Sequence, residues 1–121
     1  MSKRILVIDD ARVMERLVAG ILNHQGYETQ TAASVGAALE LLAAQPFDLI
    51  TCDLMLPDVS GLDLLAMMQN GKIQPYVPMM LITGLAQSEC LDEAKTMGVL
   101  DILTKPFSPQ QLMDAVGEIL K

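Results

Sequence analysis

Residues 47–65 read FDLITCDLMLPDVSGLDLL, and the order of chemistry along them decides the fold. Leu49, Ile50, Thr51 and Cys52 make a short, nearly continuous apolar run, the composition of a strand buried beneath helices on both faces. Asp53 ends that run. The Pro57-Asp58 pair then turns the chain. Ser60 with Asp63 three residues on is a variant of the capping box, and it predicts a helix from about Gly61 to Asn70. Strand, polar strand end, short loop and capped helix make one βα unit.

Working outward, the same unit recurs on both sides. A strand at about Arg4–Ile8 leads to a helix near Ala11–Gln25, in which Val13, Leu17 and Ile21 recur at helical spacing beside Met14 and Val18, and Gly26 ends it. A second strand near Tyr27–Ala32 sets Tyr27, Thr29 and Thr31 against Glu28 and Gln30, the half-exposed pattern of a sheet edge. Ser34 caps a helix with Val35, Ala38, Leu39 and Leu42 on one face. The fourth strand, Val77–Ile82, is again a continuous apolar run, followed by a helix over about Gln87–Met97 that stops at Gly98. A short strand, Ile102–Thr104, precedes Pro106, and the last helix begins at Ser108 with Pro109 first and Gln111 third. Leu112, Ala115, Val116 and Ile119 form its buried stripe, while Gly117 costs it about 1 kcal/mol relative to alanine.

Five βα units with short connections predict right-handed crossovers and a parallel sheet covered on both faces. A closed barrel takes about eight such units and about 250 residues, so the sheet stays open and doubly wound. The fold class is α/β, five strands in the order 2-1-3-4-5 flanked by five helices, with a ligand crevice at the switch point between strands one and three.

With 121 residues, 51% of them hydrophobic and 19% charged, the chain reads as one globular domain spanning 1–121. A formal charge of −7 argues against direct nucleic-acid binding, which rests on clustered Lys and Arg. The apolar stretch Ile5–Ile8 is too short for a signal peptide and no later run approaches membrane-spanning length, which predicts a cytoplasmic protein with no membrane partner. Cys52 and Cys90 read as small buried hydrophobes, and Met55, Met67, Met68, Met79, Met80 and Met97 as core filler. His24 is the only histidine, which excludes multi-histidine metal sites and places any phosphohistidine on a partner.

In such a sheet the crevice lies outside the carboxyl ends of the strands. Strand one is followed by Asp9 and Asp10, strand three by Asp53, strand four by Thr83, and strand five, after Thr104, by Lys105. Four of the five have a plain structural reading, Asp10 as an N-cap, Asp53 as a loop residue before a turn, Thr83 as a strand end and Lys105 as an exposed lysine, while Asp9 is harder to excuse in that way. Their joint placement favours a shared site. Three crowded carboxylates repel one another and call for a cation; oxygen-only donors at a phosphate site select Mg2+. A carboxylate nucleophile, an ammonium and a hydroxyl complete the parts for phosphoryl transfer.

The segments ILVIDD, FDLITCDLMLPDVSGLDLL, VPMMLITG and DILTKPF resemble the response regulator receiver family, across the whole chain. The resemblance implies a flavodoxin-like receiver fold and Asp53 as the phosphoacceptor. It further implies that Asp10 ligates Mg2+ directly, that Asp9 acts partly through water, and that the Met55 backbone carbonyl is a further ligand. Thr83 and Lys105 would contact the phosphoryl group, and the Lys105–Pro106 peptide would be cis. The implied partners are a sensor histidine kinase or phosphotransfer protein and a downstream protein target or fused output domain. The implied function is signalling rather than turnover, through a shift of the helix four, strand five, helix five face. Ile102 stands where many receivers carry Tyr or Phe, so the aromatic part of that switch does not carry over; Gly84 after Thr83 leaves access to the phosphate open.

Two other functions compete. A Mg2+-dependent phosphatase or mutase with an aspartyl-phosphate intermediate usually wants a second carboxylate two residues after the nucleophile, where this chain has Met55. A flavin carrier on this fold is disfavoured by the acidic crevice and by the 3% aromatic content.

Overall fold

The computed structural model describes residues 2–72, 76–84 and 88–121, without the side chains of 88–90. The expected helix start at Gln87 and the Cys90 side chain lie outside that description. Along the described residues the elements alternate as β1 (Arg4–Ile8), α1 (Arg12–His24), β2 (Glu28–Ala32), α2 (Val35–Ala44), β3 (Leu49–Cys52), α3 (Gly61–Gln69), β4 (Met79–Thr83), α4 (Ser88–Met97), β5 (Ile102–Thr104) and α5 (Pro109–Leu120). The strands form one sheet in the order β2-β1-β3-β4-β5, every pair parallel, as expected from the repeated unit.

Alternation along each strand sends its side chains to two separate cores. Ile5 and Val7 of β1, Leu49 of β3 and Met80 and Ile82 of β4 pack with Val18, Leu22, Leu112 and Val116 from α1 and α5. Leu6 and Ile8, Ile50 and Cys52, and Met79 and Leu81 pack with residues of α2, α3 and α4. Every residue of β3 and β4 is buried, which is why these strands carry no hydrophobic-polar alternation in sequence. Truncating one of the fully buried side chains, such as Leu6→Ala, is expected to cost about 2–5 kcal/mol.

Local chemistry sets the boundaries. Ser34 accepts from the Ala37 amide, and Ser60 and Ser108 form full capping boxes with Asp63 and Gln111. Gly26 and Gly98, at φ 95° and 98°, end α1 and α4 in the left-handed conformation that glycine tolerates best. Two strands start later than the sequence suggests. Tyr27 spends its amide on the Leu22 carbonyl, closing α1. Pro78 has no amide to give the ladder, so β4 begins at Met79 although Val77 is buried.

Two apolar assignments need correction. Met55 is not core filler: it is 62% exposed, because it sits in the loop after β3 beyond the reach of either core. On α1 the apolar stripe is wider than the face that packs, leaving Val13 81% and Leu17 45% exposed while Val18, Ala19 and Leu22 are buried.

Candidate functional site

The carboxyl ends of the strands are tied to one another before any side chain is considered. The Asp9 amide donates to the Ala32 carbonyl, the Asp53 amide to Ile8 and the Lys105 amide to Thr83, each at 2.9–3.0 Å. The sheet ladder thereby sets β1, β3, β4 and β5 to end level, and the residue after each end falls on one rim.

At that rim Lys105 Nζ lies 2.9 Å from Asp9 Oδ2 and 2.9 Å from Asp53 Oδ2. The other oxygen of each carboxylate accepts from a nearby amide, Asp9 Oδ1 from Ala11 at 2.9 Å and Asp53 Oδ1 from Met55 at 3.3 Å. Asp9 and Asp53 are buried, whereas Asp10 is exposed and takes no hydrogen bond or ion pair among the described residues. The capping role open to Asp10 is not used, since α1 is capped at Ala11 without a side-chain bond. Thr83, fully buried, closes β4 opposite Thr104.

One oxygen from each of Asp9, Asp10 and Asp53 lies within 4.8 Å of the others. At that spacing and an effective dielectric of about 20, each carboxylate pair repels by several kcal/mol. Lys105 offsets one charge, and three carboxylates less one ammonium leave two negative charges. The donor set is all oxygen, partly buried and short of two positive charges, so it fits a hard divalent cation. Burial works to lower the Lys105 pKa, but the hydrogen bonds and charges of Asp9 and Asp53 together outweigh it and raise the ammonium above its ordinary range. Cys52, one residue from Asp53, is pushed far up by burial and then by the charges of Asp53 and Asp9, so its thiol stays protonated and inert.

All five strand-end residues fall on this rim, and four of them, Asp9, Asp10, Asp53 and Lys105, come together through their side chains. The Lys105–Pro106 peptide is cis. Gly84 is exposed, and among the described residues a Cβ built there meets nothing within 4 Å. Ile102 packs, partly buried, against the core under α2, α3 and α4.

Sequence reasoning read Gly61 only as the residue after a cap. A Cβ on Gly61 would stand 2.7 Å from the Asp53 carbonyl oxygen and 2.9 Å from Cys52 Sγ. Only glycine lets α3 begin this close to the end of β3, and a glycine directly after a cap was the available sign.

The chain matches the family described as response regulator receiver domain over residues 5–117. It is 30% identical to the chemotaxis protein CheY of Thermotoga maritima over 122 residues, covering 100% of each. It is 34% identical to the response regulator protein PilR of Pseudomonas aeruginosa, over 98% of this chain but 26% of that protein. The chemotaxis response regulator CheY4 of Vibrio cholerae superposes with a TM-score of 0.89 at 27% identity, over 99% of this chain and 100% of that one. With a match that runs through every strand and takes in all five rim residues, the chain belongs to the response regulator receiver domain family, the phosphoacceptor modules of two-component signalling.

Proposed function

We propose that Asp53 is the residue that accepts the phosphoryl group, and that residues 1–121 act as one receiver unit. The observation that carries this reading is the pair of hydrogen bonds that Lys105 Nζ donates to Asp9 and Asp53, which gathers the nucleophile, the second acid and the ammonium from three strand ends.

Asp53 presents a carboxylate oxygen in line with the phosphorus of a phosphohistidine on a partner, a sensor histidine kinase or phosphotransfer protein. The new O–P bond forms as the N–P bond breaks, and the imidazole leaves with the bonding electrons. Lys105 passes from the Asp53 oxygen to a phosphoryl oxygen and offsets the charge that gathers there, while the Thr83 hydroxyl donates to another. Asp9, Asp10, Asp53 and the Met55 carbonyl would hold Mg2+, which when bound supplies charge neutralisation at the phosphoryl oxygens. Hydrolysis of the acyl phosphate by water later returns Asp53 to its free form, so the chain catalyses only its own loading and discharge.

Phosphorylation biases the α4–β5–α5 face toward a downstream protein target or a fused output domain. No helix among the described residues is long and apolar enough to cross a membrane. We place the protein in the cytoplasm, with no direct nucleic-acid contact from this unit given its charge of −7.

Incubation with a small phosphodonor and Mg2+, followed by intact mass, tests the assignment. The unaltered protein gains one phosphoryl group and Asp53→Asn gains none. Equal labelling of the two removes Asp53 from its role.

A further inference from the structure

Asp58 lies outside the acidic rim, yet its carboxylate is among the most heavily bonded in the molecule. Oδ1 accepts from the Val35 amide at 3.1 Å and Oδ2 from the Gly36 amide at 2.9 Å, and these are the first two residues of α2. Oδ1 also accepts from Val59 at 2.9 Å. The next amide of α2, Ala37, is taken by Ser34 Oγ. Two of these three capping bonds are therefore supplied across separations of 23 and 22 residues. α2 has no acidic residue in its own first turn, so Asp58 also brings the negative charge that a helix N-terminus favours. The Gly36 amide foremost, then those of Val35 and Val59, hold its carboxyl below the usual range.

The bond matters because of the loop it holds. Leu54 is anchored, buried in the core and accepting from the Gly61 amide at 3.0 Å. Beyond it Met55, Pro57, Asp58 and Val59 are exposed. Among the described residues, the hydrogen bonds of 55–59 to another helix or strand are those of Asp58 to α2. The Met55 amide instead faces back to Asp53 Oδ1. The loop thus runs between two polar fixings, the Asp53 carboxylate at one end and α2 at the other.

We infer that Asp58 is a positioning residue for the cation-binding rim: by gripping Val35 and Gly36 it fixes the path of residues 54–59, and with it the setting of the Met55 peptide beside Asp53. This rests on the reading of that rim as a Mg2+ site. Asp58 touches neither metal nor phosphate; it acts through the loop.

The test uses the full chain and Mg2+ alone, without phosphodonor, and follows the backbone amide resonances of residues 54–56 through a titration. Asp58→Ala raises the Mg2+ concentration at half-saturation about tenfold, the low end of what outer-shell supports of metal sites contribute. Asp58→Asn, which keeps one acceptor oxygen, falls between, and decides the matter should the alanine variant fail to fold. Ser34→Ala, which removes the other cap of α2 without touching the loop, lowers the melting temperature and leaves the half-saturation point unchanged. Repeating the series in about 1 M potassium chloride removes through-space charge as a cause. Three outcomes overturn the proposal: unchanged half-saturation in Asp58→Ala, an equal shift in Ser34→Ala, or a shift that disappears in high salt. If the unaltered protein itself shows no saturable response, the Mg2+ reading falls, and the Asp58 inference falls with it.

Discussion

The two rims of the sheet solve the problem of strand-end charge in opposite ways. At the amino ends, Arg4 pairs with Glu28 at 3.1 Å and donates to the Pro46 carbonyl, while its amide donates to Asp48. The groups are exposed or partly so, and the ion pair balances one charge with one. At the carboxyl ends, two buried carboxylates share a single ammonium, and an exposed third beside them has no ion pair among the described residues. At the amino rim the carboxylates are spread out and met by an ion pair or an amide; at the carboxyl rim three crowd together and two charges are left over, and that crowding marks where the chemistry is.

The sharpest way to break the contrast is to remove one cation from each rim. Lys105→Met should slow phosphorylation by a small phosphodonor about 100-fold or more, measured by intact mass over time, because a preorganised charge at the reacting oxygens is lost. Arg4→Met should leave that rate unchanged and alter stability by less than about 1 kcal/mol, the usual worth of an exposed pair. Comparable rates for the two variants would erase the distinction. Next in size, Gly61→Ala should cost about 1–3 kcal/mol in urea unfolding, since its Cβ would press on the Asp53 carbonyl and Cys52 Sγ. Gly117→Ala on α5, where a Cβ meets nothing within 4 Å among the described residues, should instead gain up to about 1 kcal/mol.

A smaller and opposite effect belongs to Asp10. Asp10→Asn should raise the stability of the metal-free protein by about 1 kcal/mol by relieving repulsion, and should shrink the rise in melting temperature that Mg2+ brings. A fall in metal-free stability would mean that the rim is not strained. In the strand between the rims, Thr51 Oγ1 is buried with no hydrogen-bond partner among the described residues, so Thr51→Val should stabilise by about 1 kcal/mol. The least effect is the pH dependence carried by Lys105. Its pKa is raised on folding, so its contribution is complete below the unfolded value of about 10.4 and is lost as pH climbs through the higher folded value. Stability scans should show a downturn above about pH 10 that Lys105→Met flattens.

What could be read in the chain was what local chemistry writes locally. The three serine caps, the stops at Gly26 and Gly98, the fully apolar β3 and β4 and the polar edge of β2 all follow from neighbours within a few residues, and with them the strand order. The rim was legible for the same reason: each of its residues directly follows its strand's apolar run. Features made by long-range contact were not legible. Asp58 looked like a turn residue because its partners on α2 are 22 and 23 positions away. The glycine directly after the Ser60 cap signals a close approach at Gly61 without naming the Asp53 carbonyl and Cys52 Sγ it meets, and Met55 looks like core because side-chain type alone cannot tell a loop from a helix that packs. The half-buried stripe of α1 is the same error in milder form: periodicity finds the apolar face but not how much of it the sheet covers.

The bond between Lys105 and Asp9 joins positions 96 residues apart. The partner of the first acid therefore comes from almost the far end of the chain, and the ammonium reaches Asp9 and Asp53 only when β5 pairs with β4 at the edge of the sheet. The rim is thus assembled by the completed sheet rather than by any one segment of it.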